Sequence, residues 1–208
     1  MRRLGVSIGL VAALAAIGAG ALARPAEAAD EVVDAIVAGS VLLLGESMFV
    51  PTPTKAEPDF VSVEGGRFDP IENVAPSNEF GLEYRFGSFW WKFKPFLGAY
   101  GDSKDSFWGY GGIRLDTYWG RRIIITPSFA AVGYARMNGK NLGSPVVFRS
   151  GFDFQYRFDN DMRVGVGFHH MSMGQVFGSY NPGTELVGVT FSMPVKTLMK
   201  EVWGSSGR

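Results

Sequence analysis

Phe148-Arg149-Ser150-Gly151-Phe152-Asp153-Phe154-Gln155-Tyr156-Arg157-Phe158 decides the fold class. Phe148, Phe152, Phe154, Tyr156 and Phe158 fall on one parity; Arg149, Gly151, Asp153, Gln155 and Arg157 fall on the other. Successive side chains of a strand point to opposite faces, so this segment carries an aromatic face opposite a charged one. An earlier run repeats the pattern, with Phe80, Leu82, Tyr84 and Phe86 alternating with Glu79, Gly81, Glu83 and Arg85. A membrane barrel needs such strands, with the apolar face toward lipid and the polar face inward. A soluble sandwich would keep its charged face in water, and alternation alone does not separate the two.

The wider chain favours the barrel. Eight strands are predicted, over about 59–68, 78–86, 89–100, 106–118, 123–136, 146–158, 162–172 and 185–193. Most have the ~9–11 residues that a tilted strand needs to cross a bilayer. Tight connections at Gly87-Ser88, Trp119-Gly120-Arg121-Arg122 and Asp159-Asn160-Asp161 alternate with longer ones at 69–77, 101–105, 137–145 and 173–184. Short turns at one end and longer loops at the other are the outer-membrane pattern. Closure also removes the edge strands that would invite aggregation. Phe89, Trp90, Trp91, Phe107, Trp108, Tyr118 and Trp119 lie where interfacial girdles would form. Arg149, Asp153, Arg157 and Arg163 are expected as ion-pair partners filling a narrow interior.

Composition and targeting set the location. Arg2 and Arg3, the apolar stretch from Leu4 to Leu22, and Ala26-Glu27-Ala28 read as a secretory signal ending near residue 29. The chain has no cysteine, so an exported protein of this kind is not a disulfide-stapled scaffold. Twenty basic and twenty acidic residues leave no net field to recruit nucleic acid. Residues 30–58 are expected to form an N-terminal periplasmic segment or linker, with an apolar stretch from Val32 to Val50 suggesting a helix at the barrel mouth. The barrel itself is expected over 59–195 and a C-terminal extension over 196–208.

Chemistry concentrates in the last two strands. His169-His170-Met171-Ser172 holds both histidines of the chain. His170 and Ser172 share parity with Val164, Val166 and Phe168; on the final strand, Glu185 shares parity with Val187, Val189 and Phe191. All three polar groups are therefore expected on the lipid side, while His169 points inward. Residues i and i+2 of a strand lie about 7 Å apart, within side-chain reach. A serine hydroxyl becomes a nucleophile when an imidazole takes its proton, and a carboxylate orients that imidazole. With an even strand count and a periplasmic N-terminus, this hairpin end faces the external leaflet. A lipid ester would meet it there. No metal-ligating cluster or phosphate-cradling loop is seen, so no cofactor is expected.

The His-x-Ser pair on the penultimate strand, the turn Asn181-Pro182-Gly183, Glu185 and the run Phe191-Ser192-Met193-Pro194-Val195 resemble the outer-membrane lipid A 3-O-deacylases (PagL-like). The resemblance spans 59–195 and is specific over 165–195. It implies an all-β, eight-stranded antiparallel transmembrane β-barrel in the outer membrane of a Gram-negative bacterium. It further implies lipid A of the outer-leaflet lipopolysaccharide as substrate, Ser172 as nucleophile, His170 as base and Glu185 as orienting acid. One position departs from the pattern. The family has an asparagine after the serine, linked to the oxyanion hole, and here Met173 stands there. A thioether donates no hydrogen bond. A non-catalytic structural or adhesion barrel, or an acyltransferase using the same nucleophile, are the alternative readings.

Overall fold

The computed structural model describes residues 57–87, 92–174 and 176–204, together with 38, 39, 42, 43 and 45. The expected signal peptide lies outside the described residues, as does most of the segment 30–58. In chain order the elements are β1 (Phe60–Phe68), β2 (Ser77–Arg85), β3 (Lys94–Asp102), β4 (Phe107–Arg114), β5 (Thr117–Trp119), β6 (Ile123–Ala135), β7 (Val146–Arg157), β8 (Arg163–Ser172), β9 (Thr184–Pro194) and α1 (Val195–Trp203). Consecutive strands pair antiparallel, with β4 and β5 sharing β6 as two halves of one barrel stave. Pairing of β1 with β9 closes the sheet into eight staves. This is the expected all-β antiparallel barrel, with strand bounds close to those read from alternation. No described helix is long and apolar enough to cross a membrane.

The connections follow the expected rhythm with two differences. The link between β2 and β3 runs over 86–93 by the element bounds, longer than the expected Gly87-Ser88 turn, and 88–91 lie outside the described residues. The link between β3 and β4 is tight instead of long. There the Asp102 carboxylate accepts the backbone N–H groups of Lys104 and Ser106, at 2.9 Å each, and holds the turn.

The barrel is polar inside and apolar outside. On β2, Asn78, Phe80 and Leu82 are exposed while Ser77, Glu79, Glu83 and Arg85 are buried. The interior is stratified. Near the tight-turn end, Asp116 accepts from Lys94 at 3.1 Å, from Arg163 at 3.1 Å and from Thr126 at 3.0 Å, and pairs with Arg114. Glu57 joins this layer through Lys94 and, at 3.1 Å, Arg163. That residue reads in the sequence as linker, but it inserts where three cations would otherwise share one carboxylate partner. In the middle, Arg85 pairs with Glu83 and, at 2.7 Å, with Asp153. The Arg149 guanidinium lies 4.9 Å from the Tyr110 ring centre, and the Tyr110 hydroxyl donates to Glu83 at 2.6 Å. Toward the long-loop end the filling turns apolar, with Phe68, Trp108, Tyr134, Leu142, Met171, Met173 and Leu186 in one cluster.

Several expected side-chain positions change. Trp108, read as interfacial, is fully buried inside, 5.4 Å from the Phe68 ring. It shares the inward parity of Tyr110 and Arg114. Arg157 is not an interior ion-pair partner. It sits at the turn end, donating to the Arg121 carbonyl at 2.9 Å, because β7 ends there. Leu43 packs with Ile125 and Phe152, which have outward parity, and so touches the barrel wall instead of its mouth. Helix α1 leaves β9 directly, with Leu198, Met199 and Val202 spaced for one face.

Two outcomes are expected. The refolded protein should require detergent, be rich in β structure and run differently on a gel before and after boiling; a water-soluble monomer would contradict the barrel. Gly81→Ala should cost about 1–3 kcal/mol of stability in a urea titration of the folded band. A Cβ at Gly81 would sit inside the Tyr100 ring, which covers that glycine from the neighbouring strand.

Candidate active site

The penultimate strand separates the two histidines. On β8, Arg163, Gly167, His169 and Met171 are buried, while Val164 and Val166 are exposed and Phe168, His170 and Ser172 are half-buried. His169 therefore points inward, where its Nε2 lies 3.2 Å from Asp153 Oδ1. His170 points outward, on the face that carries Ser172 two residues later. A one-residue slip would have exchanged these roles, and the register of β8 with β7 and β9 fixes them.

His170 and Glu185 are direct cross-strand partners on β8 and β9. His170 Nδ1 lies 3.2 Å from Glu185 Oε1. With the carboxylate ionised, Nδ1–H is the donor and Nε2 keeps its lone pair. Glu185 has outward parity yet is only 1% exposed, so neighbours cover it and turn it to the imidazole instead of the lipid. Its other oxygen, Oε2, has no partner among the described residues. On the opposite flank His170 is in register with Ser150 of β7, and Ser172 with Phe148.

The loop 173–183 frames the pair. Gly183 has φ +61°, the left-handed region that other residues enter at a cost. It also lies close to the imidazole. A Cβ there would come within 2.8 Å of His170 Cε1 and 3.2 Å of Nε2. Both the backbone angle and the contact call for glycine, and together they limit the ring's freedom to swing. At the other end of the loop, the Met173 backbone N–H donates to Asn181 Oδ1 at 3.0 Å. That bond fastens Asn181 beside the last residue of β8.

Met173 itself turns inward. It is 1% exposed and belongs to the apolar cluster near the long-loop end. An asparagine at this position and in this conformation would likewise be buried in the barrel. Asn181 is the amide that the sequence reading treated only as a turn residue. Because a backbone N–H approaches Oδ1, its Nδ2 is the remaining donor. The signal that could have found it is an asparagine ahead of Pro-Gly, just before the acidic residue. Among the described residues no group of acidic, histidine or cysteine side chains is arranged to hold a metal ion.

Comparison with known proteins gives the fold and the family. The crystal structure of the outer membrane enzyme PagL superposes with a TM-score of 0.52 at 19% identity, covering 65% of this chain and 99% of that one. The backbone structure of the Yersinia pestis outer membrane protein Ail gives 0.39 at 11% identity, covering 66% of this chain and 100% of that one. Among curated proteins, none matches the chain in sequence. The family model described as lipid A 3-O-deacylase (PagL) matches residues 78–194, which take in seven of the eight staves and the whole of the outward His170–Glu185 pair. The chain thus belongs to the lipid A 3-O-deacylase (PagL) family of outer-membrane β-barrels.

Proposed function

We propose that this chain is a serine esterase that removes the 3-O-linked hydroxyacyl chain from lipid A in the outer leaflet. The observation that carries the reading is the His170–Glu185 pair, at 3.2 Å on the lipid-facing side of a barrel whose interior is filled. Ser172 is the nucleophile, His170 the general base and Glu185 the group that holds the imidazole tautomer. The expected division of the chain goes with it: 1–29 removed as a signal, 59–195 forming the barrel.

The steps follow from the residue types. The Ser172 hydroxyl adds to the ester carbonyl and its proton passes to His170 Nε2. The carbonyl electron pair becomes an oxyanion. As that pair returns, the bond to the sugar oxygen breaks, and His170-H⁺ gives its proton to the departing alcohol. Water, giving its proton to the same imidazole, then attacks the acyl-serine; the acyl–Oγ bond breaks, His170-H⁺ returns the proton to Ser172 Oγ, and the fatty acid leaves. Glu185 lowers the cost of the imidazolium at each stage.

An oxyanion needs a preorganised donor. Asn181 is the group we assign to that role. Its Oδ1 is occupied by the Met173 N–H, which fixes the amide plane and leaves Nδ2 to donate. The steps proposed here call on no metal or cofactor, since acyl transfer to serine needs only a base and a donor.

Two results are expected. Ser172→Ala and His170→Ala should each lower deacylation at least ~10³-fold, with non-additive effects in the double variant. Glu185→Ala should lose roughly 10²-fold less than His170→Ala. Release of fatty acid from lipid A, followed by mass spectrometry, checks both; full activity in Ser172→Ala would end the reading. For Asn181→Asp, which keeps the acceptor for the Met173 N–H but removes the donor, kcat should fall ~10²–10³-fold with little change in KM. Unchanged kcat would remove Asn181 from the oxyanion role.

A further inference from the structure

Three acidic or basic side chains have outward parity among the described strand residues: His170, Glu185 and Arg67. The other strand cations have inward parity: Lys94, Arg85, Arg114, Arg149 and Arg163 are buried inside, and Arg157 ends β7 at the turn. Arg67 is the one with no role in the chemistry above. It shares the outward side of β1 with Val61 and Val63 and is exposed. A guanidinium facing a bilayer is costly unless something anionic meets it. Among the described residues no carboxylate pairs with it. Its Nη1 donates to Asn78 Oδ1 at 2.6 Å, across the β1–β2 pair.

Its place on the wall is the second observation. Sheet closure sets Arg67 directly opposite Val187 on β9, two residues beyond Glu185. The His170–Glu185 pair and Arg67 therefore occupy three successive strands, β8, β9 and β1. Neighbouring strands are ~4.8 Å apart and i, i+2 positions ~7 Å, so Arg67 lies about 12 Å from His170 at Cα. Arg67 is the penultimate residue of β1, at the long-loop end, where headgroups meet the acyl region. A cation there, on the same face as an ester-cleaving pair, fits an anion on the lipid being cut.

We infer that Arg67, held by Asn78, binds a phosphate group on the headgroup of the lipid substrate and so sets which ester lies over the His170–Glu185 pair. The inference rests on the esterase reading. Asn78 takes one Nη1 proton and orients the guanidinium plane, leaving Nη2 and Nε as a fork for two phosphate oxygens. Lysine would keep the charge and lose the fork.

The test compares two substrates on the refolded full-length barrel: lipid A with its phosphates, and the same lipid A dephosphorylated enzymatically. Arg67→Gln should reduce the wild-type preference for the phosphorylated lipid, measured as the ratio of kcat/KM values, by roughly 10–100-fold, mainly through KM. Arg67→Lys should recover part of it. An equal loss on both lipids, or no loss on either, overturns the inference. A binding arm separates this from failure of the esterase reading. Ser172→Ala and Ser172→Ala/Arg67→Gln are titrated with each lipid in mixed micelles by calorimetry. Weaker binding of only the phosphorylated lipid in the double variant supports the phosphate site even if no deacylation is seen. Identical affinities in the two variants rule it out.

Discussion

The pairing of β1 with β9 closes the sheet, and everything else in the molecule depends on that closure. In hydrocarbon each unpaired backbone N–H or C=O is costly, so a spanning sheet must have no free edge. Once the edge is gone, strand parity has a fixed meaning: even and odd residues become lipid side and interior. The interior is too narrow for a channel and must be filled. Charged residues fill it with ion pairs and aromatics fill the remainder. Buried ion pairs of this kind contribute little net stability, because desolvation offsets most of the attraction. Removing one partner is far more damaging, since it leaves an uncompensated charge. Asp116, facing Lys94, Arg114 and Arg163, is the node where that applies most directly.

A filled interior leaves the outer wall as the place for the proposed chemistry. A lumen packed by Phe68, Trp108 and Tyr134 cannot house substrate, and the site we propose lies on the wall. The two adjacent histidines illustrate the consequence. His169 is a structural partner of Asp153, while His170, one residue on, meets Glu185 on the other side of the sheet. The same parity rule that builds the barrel divides one dipeptide between scaffold and proposed site.

Much of this was legible in the chain. The eight staves, their antiparallel order, the outward placement of His170 and the inward placement of His169 follow from period-two alternation, which is local and needs no knowledge of neighbours. The errors arose where alternation is interrupted or where it does not reach. Trp108 looked like an interfacial aromatic because Phe107 and Trp108 are consecutive, and which of the two turns inward depends on the register of β4. Glu57 looked like linker because its partners, Lys94 and Arg163, are distant in sequence. Met173 read as a lost donor because it stands where the family has asparagine, and at the end of β8 it packs into the apolar filling.

The sequence by itself determined the fold class, the faces of the strands and the residue types available for ester chemistry, because these depend on side-chain order along a single strand. Tertiary structure alone decided which of those residues meet. The His170–Glu185 contact required β8 and β9 to pair in one register out of several. The seating of Gly183 against the imidazole and the grip of the Met173 N–H on Asn181 required the loop between them to fold back. The approach of Arg67 to the same wall required the first strand to find the last. Such contacts are set by chain closure over long separations, which no local pattern encodes.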